Sequence, residues 1–161
     1  MKATARPTTL FDIPALCALQ GRIVRIGGTT AREIPLEEGP FAEAYLTGAD
    51  VICCHTALLD GRPVGFQSAG FNADLPSGWG DIGTFVDPDL QRSGAGQALF
   101  AATLAAVRAA RLSTINATIR ADNVPGLAYY ARIGFRDYGA EPGYALSTGR
   151  VVGRVHRRFD L

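Results

Sequence analysis

The sequence predicts a mixed α/β fold, one sheet covered by helices. Three observations lead there. Residues 51–59 (VICCHTALL) and 62–71 (RPVGFQSAGF) are strand-like runs joined by Asp60-Gly61, a hairpin turn signal. Residues 94–112 (GAGQALFAATLAAVRAARL) set Phe100, Leu104 and Val107 at helical spacing. The tail GRVVGRVHRRFDL alternates, with Val151, Val155, Phe159 and Leu161 on one face and Arg154, His156, Arg158 and Asp160 on the other.

Taken in order, residues 3–9 read as a first strand. Asp12 and Pro14 open a helix whose apolar side carries Ile13, Leu16, Leu19 and Ile23. Residues 26–40 (IGGTTAREIPLEEGP) read as a mobile loop with one helical turn, and FAEAYLTGA as a short helix. After the hairpin, NADLPSG is a loop and WGDIGTFV a third strand of that group. The long helix follows, with Arg108 and Arg111 in its last turn, where cations suit the helix dipole. STINATIRA is a strand. Asn123 caps a helix that has Pro125 in its first turn and Gly134 as its stop, and two strands complete the order.

Composition bounds the function. With 161 residues, 47% hydrophobic and 19% charged, the chain is expected to be one domain over 1–161, globular and soluble. A net charge of +1 offers no broad footprint for nucleic acid. Arg154, Arg157 and Arg158, answered in sequence only by Asp160, read as a solvated strand face. No apolar run is long enough to span a membrane, and Asp12 and Pro14 interrupt the N-terminal apolar stretch, so neither an anchor nor a signal peptide is expected. Cys17, Cys53 and Cys54 make no disulfide framework, and no Cys/His spacing suits a metal. The expectation is a cytoplasmic protein without a metal.

The chemistry concentrates at QRSGAGQALF, residues 91–100. A strand ending at Val86, Pro88, and then a glycine-bracketed turn feeding a helix together present backbone N–H groups that have no partner inside the helix. The helix dipole favours an anion there. The P-loop pattern fails, because Gln97-Ala98 stands where Lys-Ser/Thr is needed, and the dinucleotide fingerprint fails at Leu99.

Gln91-Arg92-Ser93-Gly94-Ala95-Gly96 closely resembles the acetyl-CoA signature of the GNAT superfamily of N-acetyltransferases, Gln/Arg-x-x-Gly-x-Gly/Ala. The likeness extends through TFVDPDLQRSGAGQALF and, some thirty residues on, NVPGLAYYARIGF, which is similar to the family's second signature; together they cover about residues 81–136. The resemblance implies a mostly antiparallel sheet with a central splay and helices on both faces. It implies acetyl-CoA as the donor. The pyrophosphate would be held by N–H groups from about Arg92 to Gln97, the pantetheine arm would lie along Phe85 and Val86, and the Asn123 amide would bond that arm besides capping its helix. Gly83 would help the splay.

Acetyl transfer to an amine needs a proton acceptor, an oxyanion donor and an acid for the leaving thiolate. The resemblance implies a backbone N–H near Val86 for the oxyanion. It points to Tyr130, four residues before Gly134, as the acid. Tyr129 is the rival, and adjacent helical residues diverge by about 100°, so only one is expected to face the cofactor. DIGTFV resembles E-x-S-V-Y-V of the phosphinothricin-type branch, with Asp81 for Glu, Gly83 for Ser and Phe85 for Tyr. Asp81 is thus the candidate base, acting through a water, and His55 its competitor. The loop carrying Arg25, Thr29, Thr30, Arg32, Glu37 and Glu38 is expected to shape the acceptor pocket, an arginine there suiting a carboxylate. The favoured acceptor is a small amino-acid-like amine. A protein lysine or N-terminal amine, and a non-catalytic acyl-CoA-binding module, are the alternatives. Family habit implies a homodimer.

Overall fold

The computed structural model describes residues 2–161. Seven strands form one sheet: β1 Thr4–Pro7, β2 Val51–Leu59, β3 Arg62–Gly70, β4 Trp79–Val86, β5 Thr114–Arg120, β6 Arg136–Ala145 and β7 Val151–Asp160. Their spatial order is β1-β2-β3-β4-β5-β7-β6, and every neighbouring pair is antiparallel except β4 and β5. The helices are α1 Ile13–Ile26, α2 Glu38–Ala42 (continued by a π-helical turn over Glu43–Thr47), α3 Ala95–Ala109 and α4 Val124–Arg132.

Local chemistry explains the joints. Asp60 and Gly61 both take positive φ, 51° and 75°, which gives the tight two-residue hairpin between β2 and β3. Parallel strands cannot be joined by a hairpin, and α3 supplies the crossover from β4 to β5. The Asn123 side chain accepts the N–H of Gly126 at 3.0 Å to cap α4, and Gly134, at φ 106°, turns the chain out of it.

α3 and α4 cover one face, burying Phe100 and Val107 against Ile82, Ile115 and Phe135. Leu16 of α1 and Phe41 of α2 pack on Phe66 on the opposite face. The feature that positions the site lies between β4 and β5. They pair only at Trp79–Thr114, Gly80–Ile115 and Asp81–Asn116. Residues 82–86 and 117–120 then diverge, which is the expected splay. Gly83 does not create it: Gly83 stays in regular register with Ser68, without a bulge.

Several expectations need correction. On α1, Gln20 rather than Leu19 is fully buried, because its amide reaches the Tyr45 hydroxyl at 3.4 Å. Arg111 lies beyond α3 with φ 60°, so only Arg108 is in the last turn. The arginines of β7 are not a solvated face. Arg154 pairs with Glu141 at 2.8 Å, Arg157 with Asp137 at 2.5 Å and Arg158 with Asp160 at 2.7 Å, all but the last across the β6–β7 ladder. Among the described residues, no helix is long and apolar enough to cross a membrane.

Candidate active site

The splay opens into a cleft of about 590 Å³. All of residues 91–97 line it, together with Phe85, Val86, Asn123 and Tyr130. Eleven of the twelve residues singled out from the sequence therefore share one cavity, and the twelfth, Asp81, sits at the fork where β4 and β5 part.

The glycine turn is built as an anion cradle. Gly94 caps α3 with φ 86°, and Arg92 takes φ 87°, unusual for a residue with a Cβ. Alternating backbone conformations of this kind turn successive N–H groups toward one point. Not every donor is free. The Ser93 N–H is committed to the Leu90 carbonyl at 3.2 Å, and that of Ala95 makes a long contact, 3.4 Å, with the Ser93 hydroxyl. The Gly94, Gly96 and Gln97 N–H groups have no protein acceptor among the described residues. Gly96 has a second reason to be glycine: a Cβ there would stand 2.6 Å from the Tyr129 ring.

The β4 wall offers backbone groups to the cleft. The Asp87 N–H donates to the Val64 carbonyl at 2.8 Å. Successive strand residues point their backbone groups to opposite sides, so those of Val86 and Thr84 point away from β3, into the gap. An extended ligand arm can pair there as an added strand.

Both adjacent tyrosines line the cleft, against the expectation that only one would. The Tyr130 hydroxyl is 2.8 Å from Thr84 Oγ1, and the ring is buried against Phe135. Tyr129 donates to the Gly96 carbonyl at 2.8 Å and accepts from Gln67 Nε2 at 3.1 Å. Burial pushes the Tyr129 phenol up to about 12, and raises that of Tyr130 further. Both stay protonated at neutral pH and keep an O–H to donate. Fully buried Gln67 also donates to Thr84 Oγ1 at 2.8 Å, so a polar strip runs beneath the cleft that no local sequence pattern marked.

On the opposite face of the sheet, Asp81 accepts from Asn116 Nδ2 at 2.8 Å and from Asn72 Nδ2 at 3.1 Å. His55 is not on this side. It pairs in register with Gln67, which pairs with Thr84, so strand parity puts it on the α3 face. It is buried, its Nδ1 has no partner among the described residues, and burial lowers its pKa. It does not line the cleft. Residues that sequence reasoning missed continue from Asp81. Asn116 Nδ2 also reaches Thr118 Oγ1 at 3.1 Å, and Tyr138 donates to Asn116 Oδ1. Thr118 and Arg154 border the cleft.

The loop after α1 borders the cleft, with Thr29, Thr30 and Ala31 on its wall. Buried Arg120, clamped by Asp122, donates to the Thr30 carbonyl at 3.0 Å. Asn123 Nδ2 donates to the Thr29 carbonyl at 3.3 Å, so this amide also holds the loop. Glu33 receives the hydroxyl of Thr148 at 2.5 Å.

Known proteins share this construction. Structures similar over nearly the whole chain include a ribosomal-protein-alanine N-acetyltransferase from Brucella melitensis, 20% identical, with 98% of this chain and 99% of that one covered and a TM-score of 0.85. Another is a GNAT superfamily phosphinothricin acetyltransferase from Sinorhizobium meliloti in complex with acetyl-CoA, 20% identical, covering 100% and 89%, with a TM-score of 0.86. In sequence, residues align with a mycothiol acetyltransferase from Clavibacter michiganensis at 42% identity over 89 residues, 54% of this chain and 29% of that protein. The chain thus spans less than a third of the curated relatives it matches. The model of the acetyltransferase (GNAT) family matches residues 27–135, which hold the loop, the forked strands, the glycine turn and the tyrosine helix, and the chain belongs to that family.

Proposed function

We propose that the chain transfers an acetyl group from acetyl-CoA to the primary amine of a small, amino-acid-like molecule, by direct attack. The free N–H groups at the start of α3 suit a pyrophosphate, and the unpaired edge of β4 suits an amide-bearing arm. Acetyl-CoA bound there supplies a thioester at the fork of the sheet. The Val86 N–H then stabilises the oxyanion. Tyr130, a buried phenol, donates its proton to the departing thiolate, and the Thr84 hydroxyl orients it. Asp81 receives the ammonium of the acceptor and takes its first proton through a water, giving the free amine that attacks. The two amide donors on Asp81 fix its orientation and leave each oxygen a second lone pair.

The observation that carries the small acceptor is the fastened loop. Three tethers, from Arg120, Asn123 and Thr148, hold residues 29–33 across the cleft, which favours an enclosed pocket over an open groove for a protein chain. One structural relative is named for phosphinothricin and another for a ribosomal-protein alanine, and the closed loop sides with the former. The test is release of free thiol from acetyl-CoA in the presence of amino acids, polyamines, aminoglycosides and peptides in turn. Amino acids should give the highest kcat/KM, and a preference for peptides overturns the assignment. The same reading places the reaction in the cytoplasm and the protein in a homodimer, which light scattering at micromolar concentration checks.

A further inference from the structure

Making an amide from an ammonium removes two protons from one nitrogen, the first before attack and the second from the cationic nitrogen of the tetrahedral intermediate. Asp81 serves the first. A second acceptor stands on the other arm of the fork. His156 on β7 is opposite Thr118 on β5, and its Nδ1 lies 2.9 Å from Thr118 Oγ1. Its Nε2 lies 2.6 Å from a Glu141 carboxylate oxygen. Arg154, first, and then the His156 ring hold the Glu141 carboxyl below the ordinary carboxylate range. An ionised carboxylate only accepts, so the proton of the neutral ring sits on Nε2, and Nδ1 is left as an acceptor. Thr118 then donates its single proton to Nδ1, and one of its two lone pairs takes the Asn116 amide. The remaining lone pair of an exposed side chain on the cleft wall is free.

We propose that Glu141, His156 and Thr118 form a proton relay that takes the second proton of the acceptor amine. Thr118 accepts the proton from the cationic nitrogen as its own hydroxyl proton passes to His156 Nδ1. The C–S bond breaks, and the thiolate takes the Tyr130 proton. The imidazolium is stabilised by Glu141 and returns its proton to solvent, and Tyr130 is reprotonated, so one proton is released overall. Thr118 touches the reacting nitrogen; His156 and Glu141 act through it. The charged and titratable groups facing His156 are Glu141 and Tyr138 from β6, Arg154 and Arg158 from β7, Arg120 from β5 and, beyond Asn116, Asp81 from β4.

The inference rests on the acetyl-transfer reading, and two measurements keep them apart. With the best acceptor of the panel, His156→Gln and Thr118→Val should each lower kcat on the order of 10²-fold at pH 7. Acetyl-CoA affinity should hold, and His156→Gln should lose the acidic limb of the kcat profile. Thr118→Ser should restore most of the rate. An active wild type with an unchanged rate and pH profile in His156→Gln overturns the relay and leaves acetyl transfer standing. A wild type that releases no thiol with any acceptor overturns acetyl transfer instead. The relay is then judged by long-range nitrogen–proton NMR of the two histidines at pH 8, with His156→Gln assigning the signals. An Nε2–H tautomer for His156 supports the hydrogen-bond chain, and an Nδ1–H tautomer overturns it.

Discussion

The two walls of the cleft are made of different material. The β4 and α3 wall presents backbone: N–H groups at the glycine turn and along an unpaired strand edge, backed by apolar packing. The other wall presents side chains of β5 and β7, joined in one hydrogen-bonded series that starts at Asn72 and at Asp81, low on β4 where the strands still pair, and runs through Asn116, Thr118 and His156 to Glu141 on β6. Backbone donors suit a ligand part shared by all substrates, since their positions do not depend on which side chains surround them. Side-chain series suit proton traffic, because each member has a defined number of donors and acceptors. On the proposed reading, the donor is held by the backbone wall and the acceptor's protons are handled by the side-chain series.

Substitutions on each wall should have separable signatures. The largest effect is expected for Gly96→Asp, which sets a negative charge in the anion cradle. Acetyl-CoA affinity should fall on the order of 10²-fold or more, about 3 kcal/mol, by titration calorimetry. Gly96→Ala sharpens the comparison, since it adds no charge but places a Cβ against the Tyr129 ring. A clear loss of affinity in this variant too shows that packing as well as charge shapes the backbone wall.

Tyr130→Phe should lower kcat by roughly 10²-fold with acetyl-CoA affinity unchanged. Tyr129→Phe should do the reverse, weakening acetyl-CoA several-fold through the freed Gly96 carbonyl while leaving most of kcat. An exchange of the two results reassigns the acid. On the side-chain wall, Asp81→Asn should lower kcat by roughly 10²-fold, since the first proton loses its acceptor, whereas a raised acceptor KM with kcat nearly intact would show that Asp81 only grips the ammonium. Activity should recover in part toward pH 9.5, as free amine becomes abundant. Values indistinguishable from wild type would remove Asp81 from the site.

The smallest effect belongs to a carboxylate away from both walls. Buried Asp12 accepts two bonds from Arg6, at 2.7 and 2.9 Å, and the Thr9 N–H at 2.8 Å, tying β1 to the start of α1. The Arg6 contact holds its carboxyl at about 2, below the ordinary 3.8. Because the folded value is depressed, the stabilisation is present above pH about 4 and is lost as pH falls toward 2. Asp12→Asn should cost about 1–2 kcal/mol in denaturant melts at pH 7, less as the pH is lowered, with kcat unaffected.

The same contrast explains what was legible in the sequence. The glycine turn, the Asn123 cap, the Asp60-Gly61 hairpin and the order of strands and helices all follow from residues close together in the chain, and so they could be read. The side-chain wall depends on strand register. Thr118 meets His156, and Glu141 meets Arg154, only because β7 lies between β5 and β6, an order that no local pattern encodes. The alternation of the tail did put Arg154 and His156 on one face; without the acidic residues of β6 opposite, that face read as solvated. The face of His55 stayed open in the sequence for a related reason: its parity relative to Asp81 is fixed only through the ladder of β2, β3 and β4.

On the proposed reading, the fastening of the loop after α1 carries a consequence for how this scaffold could change its acceptor. Arg120 and Asn123 hold the loop by the carbonyl oxygens of Thr30 and Thr29, groups that every residue type possesses. The side chain at position 29 is therefore released from holding the loop, while the Thr30 hydroxyl still donates to the Arg32 carbonyl at 2.5 Å. Position and identity become independent at residue 29: on the proposed reading, a substitution there alters what the pocket admits while the carbonyl tether keeps the loop over the cleft.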